Sequence, residues 1–171
     1  MANIAVIVGA ANEITYSPHM EQPSTPTPSR LRTTPSWLFT QTAAHAARIV
    51  TAALDTRHAR GYHYRLLATL AETGPASQAD LGRHSGIDRS DIVATLNDLA
   101  DRHLVRRQPD PTDRRRNIVR ITPAGQRELT HLQHALDTAQ ETLLAPLNPT
   151  DRHQLVRLLN LLLTHHHEPK G

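Results

Sequence analysis

Arginine is the residue whose placement carries most chemical meaning in this chain of 171 residues. Of its 19 cationic side chains, 18 are Arg and one, Lys170, is lysine. Seven of the arginines (102, 106, 107, 114, 115, 116 and 120) fall between Arg102 and Arg120, against only two aspartates, Asp110 and Asp113. That is a local excess of five positive charges in a chain whose net charge is +3. A guanidinium is planar, permanently charged and able to bond phosphate or the edge of guanine through two parallel N–H groups. The competing reading of such a cluster is a solvated face paired with Asp110 and Asp113. Its position decides between the two. Leu104–Gln108 and Asn117–Ile121 read as two short strands enclosing Pro109-Asp110-Pro111-Thr112-Asp113, which is turn chemistry. Arg114, Arg115 and Arg116 then stand at the tip of a hairpin, from which a β-ribbon places a guanidinium into the negative potential of a DNA minor groove.

The elements before the hairpin give it a context. Ser77 with Asp80 three residues on predicts a helix start, and Gly86 predicts its stop about two turns later. Asp88 is a second candidate N-cap, followed by Ile92, Leu96 and Leu99 at i, i+4 and i+7. Two short helices joined through Gly86 and followed at once by a basic hairpin describe a helix-turn-helix with a wing. The second helix would enter the major groove of double-stranded DNA. Opposite its apolar stripe it presents Arg89, Ser90, Val93, Ala94 and Asn97, with Arg89 the best placed to read guanine.

Longer helices flank this head. Ser36 to Ala59 contains no Pro or Gly and spaces its apolar residues as an amphipathic helix, with Gly61 as the break before a short helix closed by Gly74-Pro75. Thr122-Pro123 and Asn148-Pro149 each open a Leu-rich helix. The apolar faces of the first and last two helices exceed what the small head covers, which implies a homodimer. A two-fold dimer in turn implies a near-palindromic operator with half-sites about 34 Å apart. Residues 1–35, with five prolines among Ser and Thr, read as a flexible leader. His19-Met20 has the look of a cloning junction ahead of a second start, so residues 1–19 carry no functional argument here. The fold class expected is mainly α: a winged helix-turn-helix head at about 62–122, dimerisation helices at about 36–59 and 123–167, and the whole domain at 36–168.

Other chemistries find less support. With no cysteine there is no thiolate metal site, iron–sulfur cluster or disulfide. Five aromatic residues are too few to read unpaired bases by stacking. Twelve histidines invite a metal reading, with His131 and His134 at i, i+3 and a terminal His165-His166-His167, but no His-Glu-x-x-His pattern is present and no metal or cofactor is expected. No Ser-His-Asp set or phosphate-cradling Gly loop stands out, and capping and a solvated helix side account for Asp88, Asp91 and Asp98. An enzyme is therefore not expected. The longest apolar run is too short for a membrane span, so no membrane partner is expected and the cytoplasm is the default location. The alternatives kept are a winged helix that binds protein and a metal-responsive regulator using helix histidines.

The runs Gly86-Ile87-Asp88-Arg89-Ser90-Asp91-Ile92-Val93, Leu104-Val105-Arg106-Arg107, Asp110-Pro111-Thr112-Asp113-Arg114-Arg115-Arg116-Asn117 and Ile121-Thr122-Pro123-Ala124-Gly125 together resemble the MarR family of winged-helix transcriptional regulators. The resemblance covers about Ser36 to His165. It implies a homodimer with interlocked first and last helices, and it places the wing-tip arginine on Arg115, with Asp113 as the group that holds it. It also implies a small amphipathic effector, often an aromatic acid or phenol, bound near Trp37, His45, Tyr62 and Tyr64. Two departures stand out. His103 occupies a position where the family often has Gly, and a left-handed backbone there suits histidine less well. Ala94 stands where many members have a polar residue.

Overall fold

Thr34, extended, followed by Pro35 at the first helical position starts the first long helix, because the N–H that proline lacks would be unpaired there anyway. The computed structural model of the chain describes residues 27–110 and 117–167. In chain order these form α1 (Ser29–Arg32), α2 (Pro35–Asp55), α3 (Gly61–Thr73), β1 (Ala76–Ser77), α4 (Gln78–Ser85), α5 (Arg89–Asp101), β2 (Val105–Pro109), β3 (Asn117–Ile121), α6 (Pro123–Leu143) and α7 (Pro149–His167). The expected mainly helical fold with a small β wing is what the chain adopts.

The head assembles around leucines. Leu66, Leu67 and Leu70 of α3, Leu81 of α4, and Ile92, Leu96 and Leu99 of α5 are almost wholly buried, together with Val119 of β3. Full burial of each such side chain contributes about 1.5–3 kcal/mol, which is why the three short helices hold together although none is stable alone. Ser77 caps α4 as expected, its hydroxyl accepting the Asp80 N–H at 3.2 Å. Gly86 takes the left-handed conformation (φ 60°) that ends α4 and turns the chain toward α5. Asp88 is the N-cap residue of α5 by position, but its side chain makes no capping bond.

Four details differ from the expectations. The first long helix stops at Asp55 rather than Ala59, and Gly61 begins α3 instead of interrupting a helix; the turn between them holds His58 at φ 50°. Residues 29–32, expected to belong to the leader, form one helical turn bonded to Thr33 and Thr34. The sheet has three strands, in the order β1-β3-β2, because Ala76 and Ser77 pair antiparallel with Val119 and Ile118. A two-residue strand has no periodicity to read, and only the tertiary pairing creates it. The first hairpin strand, β2, begins at Val105, one residue later than expected, and pairs with β3 from Val105↔Ile121 to Pro109↔Asn117. Pro109 is tolerated because β2 is an edge strand.

The join between wing and α6 is tight. Thr122 accepts the Gly125 N–H at 3.0 Å, and a Cβ on Gly125 would lie 2.0 Å from the Leu104 carbonyl oxygen. His103 does adopt the left-handed backbone (φ 58°), and its carbonyl accepts the Thr122 hydroxyl at 2.8 Å. Leu132 and Leu136 of α6 close the core against α2 and α3. By contrast α7 has no extensive packing on the rest of the protomer, and Leu158, Leu159, Leu161, Leu162 and Leu163 are 37–56% exposed. Leu38 and Phe39, near the start of α2, are also exposed.

Candidate nucleic-acid interface

The periodicity of α5 sorts its residues into two faces. Ile92, Thr95, Leu96 and Leu99 are buried, whereas Arg89, Ser90, Val93, Ala94 and Asn97 are exposed. Arg89, Ser90, Val93 and Asn97 thus offer a guanidinium, a hydroxyl, an apolar surface suited to a thymine methyl and an amide, the groups that read base edges in a major groove. Asn97 is held from the wing: Arg107 of β2 donates to its Oδ1 at 2.7 Å. That bond leaves the amide N–H groups of Asn97 available as donors. Arg107 belongs to the basic cluster, and its role was not legible because strand spacing alone does not show which helix residue it faces.

Asp113, Arg114, Arg115 and Arg116, the wing tip of the sequence reading, lie outside the described residues. What the structure does give is their base, since Pro109 pairs with Asn117 and holds the two strands together up to that point.

A cavity of about 710 Å³ opens behind α5, between the end of α2 and the start of α3. Its apolar wall includes Val50, Leu54 and Ala59, and its polar wall includes Tyr62, His63, Asp91 and Asp98. Ala94 also lines it, so this residue of the expected DNA face sits where helix and cavity meet. Of the four expected effector contacts, Tyr62 lines this cavity and the other three do not. Trp37 and His45 stand farther toward the N-terminus of α2, where Arg48 bonds the His45 ring at 2.6 Å. Tyr64 faces the opposite way, into a groove of about 390 Å³ between α3 and α6, with its hydroxyl bonded to Gln133. Burial raises the Tyr62 pKa, and the charge and hydrogen bond of Asp91 raise it further. The phenol is therefore a donor to Asp91.

His63 is buried in the same wall. Its Nδ1 accepts the Arg60 backbone N–H at 3.1 Å, and its Nε2 lies 2.8 Å from Asp98 Oδ2. The neutral ring must then carry its proton on Nε2 and donate it to the carboxylate. Burial lowers the His63 pKa; Asp98 opposes that shift, while Arg102 and Arg60 add to it. Asp98, expected on a merely solvated helix side, is thus a partner of a buried histidine. Next to it, Arg102 reaches Glu128 of α6 at 3.4 Å, and Glu128 also accepts Arg57 at 2.6 Å. Glu128 had a readable signal: it falls on the buried stripe of α6 with Gly125, Leu132 and Leu136, where a charge is out of place.

Among the described residues no group of three or more metal-ligating side chains comes together, and His131 and His134 are exposed on α6. None of the described helices is long and apolar enough to cross a membrane.

Residues 55–116 match the model of the MarR family. The HTH-type transcriptional repressor NicR of Pseudomonas putida is 32% identical over 97 residues, covering 57% of this chain and 61% of that protein. The chain spans about three fifths of the length of the curated relatives it matches. Among solved structures, one described as a probable transcriptional regulator from Pseudomonas aeruginosa is 31% identical, with a TM-score of 0.70 over 78% of this chain and 99% of that one. BpsR of Bordetella bronchiseptica, whose DNA binding is regulated by 6-hydroxynicotinic acid, shares the fold at 21% identity, with a TM-score of 0.70 over 80% of this chain and 97% of that one.

Proposed function

The chain belongs to the MarR family of DNA-binding transcription regulators, which are not enzymes, and from that premise we propose that it is a ligand-responsive repressor acting as a homodimer on a near-palindromic operator. The observation that carries the DNA reading is the exposed face of α5, where Arg89, Ser90, Val93 and Asn97 stand together with Arg107 bracing Asn97. In this reading α5 enters the major groove, and Arg115 of the wing enters the neighbouring minor groove, held by Asp113 and flanked by Arg114 and Arg116. The dimer reading is supported by α7, an apolar helix left uncovered within the protomer. A second copy that interlocks α7 with α2 would cover the leucines together with Leu38 and Phe39.

The effector is a small aromatic or phenolic molecule, a class to which the regulator of BpsR belongs. The cavity behind α5 is its site here, with Tyr62 as a contact; Trp37, His45 and Tyr64 lie away from that cavity within one protomer. Because α5 forms one wall, a molecule that fits better when the helix is displaced shifts the dimer away from DNA by its difference in affinity for the two states.

The test is to select bound fragments from a genomic library with the purified protein and titrate the recovered site in a gel shift. Arg115→Ala is expected to lose most of the affinity while remaining a folded dimer. Unchanged binding by that variant would remove the wing from the mechanism. Failure of the parent protein to retain any duplex at low salt would remove the whole reading.

A further inference from the structure

The helix proposed to read DNA is poorly attached to the helices proposed to form the dimer. α5 packs on α3, α4 and β2, with no extensive packing on α2 or α6. A polar network reaches across from its C-terminal end to α6 and to the turn after α2. Arg102, at the C-terminal end of α5, donates to Glu128 of α6 at 3.4 Å and to the carbonyls of His58 and Arg57 at 3.2 and 3.4 Å. Glu128 is only 8% exposed and also takes the Arg57 guanidinium at 2.6 Å. One turn back on α5, Asp98 holds His63 of α3.

Charge in such a place adds little to stability, because desolvation of a buried carboxylate offsets most of its attraction to the arginines. Apolar side chains on the same stripe of α6 would pack at least as well. The geometry of the contact is what an apolar pair lacks: the guanidinium fork of Arg102 bonds one carboxylate and two carbonyls at once, and so fixes direction as well as distance. Direction matters at the far end of α5. A helix of 13 residues is about 20 Å long, so a tilt of about 10° around its C-terminal anchor moves the first turn by about 3 Å. That is about one base-pair step along the duplex.

We propose that Glu128 and Arg102 form a polar clamp that positions α5 against the dimer helices, so that the operator sequence is read in register without either residue touching DNA. The clamp rests on the reading of α5 as the DNA-recognition helix. Neither residue is among the exposed groups of its outer face; both act through the angle of the helix.

The experiment compares the full-length parent, Glu128→Gln, Arg102→Met and Asp98→Asn on two duplexes, the selected operator and a scrambled one of equal length. Glu128→Gln keeps the size of the side chain and one of its two acceptor oxygens, and Asp98→Asn alters a half-exposed carboxylate, so these two variants keep the test open if Arg102→Met does not fold. The clamp predicts that folded, dimeric variants lose about tenfold on the operator, while affinity for the scrambled duplex and its salt dependence stay within twofold. Operator preference retained in all folded variants overturns the clamp and leaves the α5 reading intact. Operator loss that merely follows loss of helical signal also overturns it, since the network would then be structural. A parent protein that does not distinguish the two duplexes defeats the α5 reading itself.

Discussion

Replacing Leu162 by Asp is the sharpest test of the uncovered helix. Leu162 is 44% exposed in the protomer, so docking of a second copy removes at most that fraction from water. Full burial of a leucine is worth about 1.5–3 kcal/mol, which makes the contribution here about 0.7–1.3 kcal/mol per copy and about twice that for a two-fold pair. Aspartate forfeits this and adds a carboxylate from each protomer, each losing part of its hydration in an apolar seam, a penalty that alone reaches several kcal/mol for a fully buried ion. A total of about 4 kcal/mol follows, equivalent to roughly a thousandfold in the dimer dissociation constant. Leu162→Ala, which loses only the apolar part, should weaken the dimer by roughly ten- to a hundredfold. Sedimentation velocity from nanomolar to micromolar protein measures both. Equal dimer fractions for Leu162→Asp and the parent would refute the placement of α7 in the interface, and a parent at the mass of one chain would refute the dimer.

Other perturbations address the head. Arg89→Ala should cost about 1–3 kcal/mol on the selected operator and relax preference at one base position; an equal loss on every sequence would assign Arg89 to phosphate instead. Gly125→Ala drives a methyl group into the Leu104 carbonyl, with backbone on both sides of the clash, and should destabilise by about 3 kcal/mol, seen as a fall in Tm of roughly 6–12 °C; an unchanged melt would contradict the packing of α6 on the wing. His63 has its pKa lowered from the ordinary value of 6.5, chiefly by burial, so its contribution to stability is complete above that value. As pH falls below it, the unfolded chain gains a proton that the folded ring resists, and stability is lost until the folded ring is also protonated. The parent should therefore lose up to about 1.4 kcal/mol per pH unit more than His63→Gln on acidification, in denaturant titrations from pH 7.5 to 5, and parallel profiles would show that the ring is not held neutral.

How much of this was legible depends on the range of the interaction concerned. Helix existence, the caps at Ser77 and Thr122, the turn at Gly86 and the two faces of α5 come from contacts within a few residues, and the spacing of apolar, capping and glycine residues encodes them directly. The left-handed position at His103 was also accessible, since the resemblance put a glycine there and the backbone keeps that conformation without one. The boundary at Asp55 was not, because nothing in Thr56-Arg57-His58-Ala59 is a poor enough helix former to announce a stop. The turn is stabilised from outside, by Arg102 donating to the carbonyls of Arg57 and His58.

Sequence by itself determined the kind of architecture: a winged helix with a basic hairpin, a row of side chains on α5 turned outward and more apolar helix than one protomer covers. Tertiary structure alone decided which side chains meet. It brought Glu128 to Arg57 across 71 residues and Arg107 to Asn97 across a helix–strand boundary, and it sent Tyr62 and Tyr64, two residues apart, to opposite faces of α3. The reason is physical: local propensity and periodicity fix which residues point inward, whereas the partner a buried charge or ring finds depends on how rigid elements dock. That docking is settled by the packing of the leucine core as a whole.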